Sequence, residues 1–176
     1  MGASDRGQSA VIGEVLLVGV VVILAVTLTV FAFGFGDEVR EPAPVVGQSS
    51  GELLAFEDGF DEQYVRITHE AGDPIAVENV EIAVDAGGAC GKAGRIVGLP
   101  AKELDDEHLR GDTEMFDQSG DGLRGALETD RFAAGDRIEF RLKKGGCELD
   151  PGEQVTVRVV HTPSGAVVVE ETLTAG

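Results

Sequence analysis

The 176-residue chain has no tryptophan, one tyrosine, two cysteines and three histidines. Lysine is nearly absent as well, occurring only at Lys92, Lys102, Lys143 and Lys144. With 32 acidic against 14 basic residues and a net charge of −18, nucleic acid is excluded as a partner, since phosphate binding needs a basic patch. His69, His108 and His161 show no ligand spacing, and two cysteines without histidine partners do not make a structural zinc site. Catalytic patterns are missing too. Ser164-Gly165 lacks the Gly-x-Ser-x-Gly elbow, and no glycine-rich phosphate loop ends in lysine. Carboxylates are so abundant that a pair of them identifies nothing, and Asp105-Asp106-Glu107 reads as a solvated acidic run. These absences point away from an enzyme.

Charge is also missing from one long run, and here the absence is informative. No charged residue occurs between positions 15 and 35, a stretch of Val, Leu, Ile, Ala and Phe without proline. As a helix this run measures about 31 Å at 1.5 Å per residue, and a bilayer core of about 30 Å takes about 20 apolar residues to cross. A lone spanning segment satisfies its backbone in lipid only as a helix. The run exceeds the 7–15 apolar residues of a secretory signal peptide, and Phe31-Ala32-Phe33-Gly34 is a poor cleavage site.

Ahead of the run stand a short leader ending Asp5-Arg6-Gly7 and then Gln8-Ser9-Ala10-Val11-Ile12-Gly13. This arrangement resembles the class III signal peptide of archaeal type IV pilins, and of haloarchaeal pilins in particular. The resemblance implies removal of residues 1–7 by a prepilin peptidase at the cytoplasmic face. Arg6, Gly7 and Gln8 would form the processing site, with Gln8 as the new N-terminus. It also implies a helix that waits in the membrane and then packs with other copies, or with other pilins, in a filament core. Glu14, Val15, Leu16, Leu17, Val22, Ile23, Leu24 and Phe31 belong to that assembly surface. Two roles stand open for Glu14: pairing with the new α-amino group of a neighbouring subunit, or sitting at headgroup level one turn into the helix.

The expected organisation is a leader at 1–7, an apolar helix at 8–36, a Pro-containing linker at 37–50 and an outer domain at 51–176. From Gly51 onward the hydrophobic period changes to two. Strands are expected at 53–56, 64–69, 75–77, 80–84 and 137–142, followed by a hairpin of 154–160 with 166–173. Residues 85–129 carry only weak strand or helix signals. The class is therefore α+β, a long N-terminal helix followed by an all-β, Ig-like sandwich of about seven strands. The phrases running from Thr68 to Ile75 and from Val160 to Gly165 are also similar to segments of haloarchaeal pilin outer domains. An archaellin-like motility subunit fits them less well.

A folded, acidic, lysine-poor domain matches high salt, where the Debye length is about 3 Å at 1 M and carboxylate repulsion is screened. The leader implies a single-pass membrane protein with its C-terminal domain outside, becoming part of an extracellular pilus after processing. In that compartment the even pair Cys90 and Cys147, each set among glycines, suggests a disulfide. Residues 117–128 place Asp117, Ser119 and Asp121 at positions 1, 3 and 5 of a calcium-type loop, with Gly122 at 6 and Glu128 at 12. Two readings stand for this segment, a solvated turn and a site for calcium or another hard cation. No other cofactor is expected. The chain thus reads as a pilus subunit for surface attachment. The alternative is a monomeric membrane-anchored outer domain that binds a small ligand or ion.

Overall fold

The computed structural model describes residues 4–34, 42–54, 62–119 and 123–176, and within the helix the side chains of residues 11–29. The chain forms two compact units, Met1–Arg40 and Glu41–Gly176.

The first unit holds one helix, α1, Ser4–Gly34. Its apolar residues follow no 3.6-residue stripe, because nearly every position is apolar. Thr27 and Thr29 are accommodated by bonding back: their hydroxyls donate to Leu24 O at 2.9 Å and Ala25 O at 2.7 Å. The backbone is helical from Ser4, four residues ahead of the expected start. The expected glycine cap at Phe35-Gly36 lies outside the described residues.

The second unit is antiparallel β. In chain order its strands are β1 (Val46–Leu54), β2 (Glu62–Gly72), β3 (Ile75–Ala76), β4 (Val80–Ala86), β5 (Lys92–Ile96), β6 (Leu109–Gly111), β7 (Leu123–Gly125), β8 (Arg131–Phe132), β9 (Arg137–Lys143), β10 (Gln154–His161) and β11 (Ala166–Thr174). A four-stranded sheet runs β1-β2-β9-β7, a five-stranded sheet runs β11-β10-β4-β5-β6, and β3 pairs with β8. The α+β class is as expected, with more strands than the seven read from alternation.

Alternation explains the long strands. Val65 and Ile67 of β2, Ile82 and Val84 of β4, and Val155, Val157 and Val159 of β10 are all buried in one core to which both large sheets contribute. The two sheets meet through Phe116, which belongs to neither of the long strands. Its ring stands edge-on to Phe140 of β9, with centroids 6.1 Å apart. It also fills the space that a side chain at position 94 on β5 would occupy. A Cβ at Gly94 would lie 2.6 Å from Phe116 Cε2 and 3.0 Å from Met115 Sδ. Gly94→Val is therefore expected to destabilise the fold by about 1–3 kcal/mol through overpacking. Guanidinium unfolding of the full chain in detergent checks this, and an unchanged midpoint would show that the ring has room to move.

β1 begins at Val46, inside the stretch read as linker. Its pairing with β2 runs from Val46↔Gly72 to Leu54↔Tyr64, with irregular register between Val46 and Ser49. The Gly- and Ser-rich sequence hides this strand for a steric reason. A side chain at Gly51 would run into Leu173 of β11 and Ile67 of β2. Only Leu53 and Leu54 of the strand expected at 53–56 can be placed, since residues 55–61 lie outside the described residues.

Candidate assembly helix and outer-domain sites

From Val11 to Thr29 the helix is long and apolar enough to cross a membrane, and no part of this span is buried within its own chain. The large apolar side chains from Val11 to Leu28, including Val15, Leu16, Leu17, Val22, Ile23 and Leu24, are 55–69 % exposed. Core residues such as Val65 and Ile82 are fully buried by comparison. Burying a Leu or Val side chain is worth about 1.5–3 kcal/mol, so this surface requires an apolar environment beyond its own chain. Glu14 is exposed on the helix, where it shares a shallow hollow with Val11, Val15 and Val18. Arg6, Gly7 and Gln8 lie in the helical backbone. Their side chains, and that of Phe31, lie outside the described ones.

In the outer domain Cys90 and Cys147 are joined by a disulfide, with Cα atoms 5.4 Å apart. Cys90 sits in the turn after β4, its N–H donating to Ala86 O at 2.9 Å, and Cys147 in the turn after β9, donating to Lys143 O at 2.9 Å. The bond thus ties one large sheet to the other.

The residues read as a cation loop are placed differently from one another. Asp117 is buried, and its Oδ2 lies 2.9 Å from Arg141 Nη2. Its Oδ1 accepts from the backbone N–H of Ser119 at 3.0 Å and from the Ser119 hydroxyl at 2.7 Å. Arg141 also donates to Ser119 O. Glu128 is exposed on the 3-10 turn Ala126–Glu128 that follows β7, and Asp121 lies outside the described residues. Among the described residues no three His, Cys, Asp or Glu side chains are grouped to hold a metal ion. The Asp117 carboxylate neutralises the Arg141 guanidinium on the outer face of β9, a buried charge that needs a partner.

A second ion pair covers that same face. Arg66 Nε donates to Glu139 Oε2 at 2.8 Å, and Arg137 Nε lies 3.8 Å from the same oxygen. Hydrogen bonding to Glu139 raises the Arg66 guanidinium above its ordinary value, against a smaller opposing effect of burial. An open cavity of about 610 Å³ adjoins the Asp117 segment and is lined in part by Thr113, Glu114, Gln118, Lys143 and Lys144.

The two strand-end histidines differ. His161 shares a hydrogen bond of 2.8 Å with the Ser164 hydroxyl, which also accepts from Ala166 N–H. The buried His69 ring bonds nothing among the described residues and packs on Phe132, with ring centroids 5.1 Å apart. Only the backbone of His69 meets the nearby turn, donating to Asp136 O at 3.0 Å and accepting from Gly135 N–H at 2.7 Å.

Comparison with known proteins bears on the helix. Residues 6–47 match the family model "Archaeal Type IV pilin, N-terminal". An uncharacterised protein of Archaeoglobus fulgidus is 33 % identical over 81 residues, which is 46 % of this chain and 53 % of that protein. The match therefore spans about half the length of that relative. An apolar helix uncovered from Val11 to Thr29 thus lies inside a stretch, residues 6–47, that is similar to the N-terminal domain of archaeal type IV pilins.

Proposed function

We propose that this protein is a structural subunit of an archaeal type IV pilus-like surface filament used for attachment to surfaces. The observation that carries the proposal is the span Val11–Thr29, apolar on every side apart from Glu14 near its start and uncovered by its own chain, inside the segment similar to pilins. Such a helix is stable first in lipid and then among copies of itself, where apolar contact replaces the bilayer. Assembly rather than catalysis is the mechanism. A prepilin peptidase cuts between Gly7 and Gln8, the helix moves from membrane to filament core, and the β domain stands outward. The acid-rich, lysine-poor composition supports a high-salt habitat for that outer surface.

Intact mass and N-terminal sequencing of the protein sheared from its own cells test this reading. The expected chain begins at Gln8 and is recovered in filaments. Recovery only in the membrane fraction, with residues 1–7 retained, would overturn it in favour of a monomeric anchored outer domain.

A further inference from the structure

Three of the chain's ten arginines lie in one line across the five-stranded sheet. Strand register pairs Glu170 with Arg158, Arg158 with Ala83, Ala83 with Arg95, and Arg95 with Arg110. The row therefore reads Glu170, Arg158, Ala83, Arg95, Arg110 over β11, β10, β4, β5 and β6. Flanking residues Val157, Val159, Ile82, Val84, Ile96 and Leu109 point into the core, so the row faces outward. Ala83 leaves a gap between the basic side chains. Arg158 and Arg95 stand two strand spacings apart, about 10 Å. Between them runs a trough of about 380 Å³, lined also by Ala83, Ala93, Gly94, Gly111 and the carboxylate-bearing Asp85.

The guanidinium groups hold much of their bonding capacity in reserve. Arg158 donates through Nε to Glu170 at 2.7 Å, and Arg95 through Nη1 to Glu81 at 3.1 Å. A guanidinium has five N–H donors, and both side chains are well exposed, at 37 % and 62 %. Arg110 bonds backbone carbonyls of its own turn through Nη1, the shortest being Leu109 O at 2.7 Å. With Glu170, Glu81 and Asp85 against the three arginines, this patch is electrically balanced within a chain of net charge −18. The net charge of −18 repels anions from the chain as a whole, whereas here an anion meets unused forks.

We propose that this trough binds an acidic polysaccharide, its carboxylates taken by Arg158 on one wall and Arg95 with Arg110 on the other. A polymer that repeats its carboxylate reaches both walls at once. An acidic peptide fits less well, because β10, β4 and β5 are paired on both sides and offer it no free strand edge. Nucleic acid lacks an aromatic platform among the lining residues for base stacking. Arg–carboxylate contacts are short, charge-assisted hydrogen bonds. They survive screening that removes long-range attraction. The inference gives a ligand class to the surface attachment proposed above and rests on that reading.

The test is binding of full-length protein in detergent micelles to polygalacturonate, with neutral dextran as the comparison polymer. Wild type is expected to bind polygalacturonate at least tenfold more tightly than dextran. The Arg95→Gln/Arg158→Gln protein should lose at least tenfold, and Arg95→Lys/Arg158→Lys, which keeps the charge but not the fork, should recover only part. Arg131→Gln, on β8 and outside the row, should bind as wild type does. Equal affinity in the wild-type and double-Gln proteins, or no preference over dextran, would overturn the site. The binding assay requires no filament, so its failure leaves a Gln8 N-terminus in sheared filaments as separate support for the subunit role.

Discussion

Replacing Val22 by Asp is expected to reduce the protein in sheared filaments at least tenfold while most of the chain remains in the membrane fraction. Two magnitudes decide this split. On the insertion scale, Leu, Ile and Val each contribute about −0.3 to −0.6 kcal/mol, so the large apolar residues between Val11 and Leu28 supply about −4 to −8 kcal/mol, whereas one central Asp costs about 2.5–3.5 kcal/mol. The anchor therefore weakens without failing. In lipid the carboxylate also finds relief through snorkelling, local thinning of the bilayer and water. A helix packed among copies of itself has none of these. A carboxylate buried there without a partner is uncompensated in every subunit at once, and breaking a buried pair in that manner costs about 3–5 kcal/mol. Val22→Leu, which keeps the surface apolar, should assemble normally. Equal filament yields from Val22→Asp and wild type would show that position 22 does not face a neighbouring helix.

Removing the Cys90–Cys147 bond is expected to destabilise the outer domain by about 4 kcal/mol in the chain-entropy model. The bridge closes a loop of sequence separation 57 that holds much of the core, including Leu109, Met115, Phe116, Leu123 and Phe140. That loop also contains β5, β6 and β7, the shortest and least strongly patterned parts of the two large sheets. The loss should therefore appear first as exposure of this region. Cys90→Ala/Cys147→Ala protein, unfolded in guanidinium beside reduced and oxidised wild type, measures the effect. A midpoint unchanged by either route would mean that the sheets hold the loop closed unaided.

The helix was legible because its requirement is one-dimensional. Length and the absence of charge from Val15 onward settle whether a segment can cross lipid, whatever folds after it. Strands β2, β4, β9, β10 and β11 were legible for a related reason. Alternation such as Val155, Val157, Val159 writes the buried face into the sequence directly. Strands β5, β6 and β7 were not, since their buried positions depend on distant partners. Gly94 carries no hydrophobic signal, yet it is a core position because Phe116 occupies its space. Strand β1 was obscured likewise, its Gly51 required by Leu173 and Ile67 on neighbouring strands.

The candidate sites divide along the same line. Residues 117–128 have the oxygen spacing of a cation loop, but spacing does not reveal that Arg141, on β9, lies against Asp117. The two cysteines were visible as an even pair, and tertiary structure brought their Cα atoms to 5.4 Å. The arginine row had no sequence signature at all, since Arg95, Arg110 and Arg158 become neighbours only through strand register. By itself the sequence determined a helix long and apolar enough to cross a membrane, the β character of the outer domain and its acidity, each a property of local pattern or of composition. Tertiary structure alone decided which charges are paired, which glycines are packing sites and which arginines stand side by side, because those depend on distances between residues far apart in the chain.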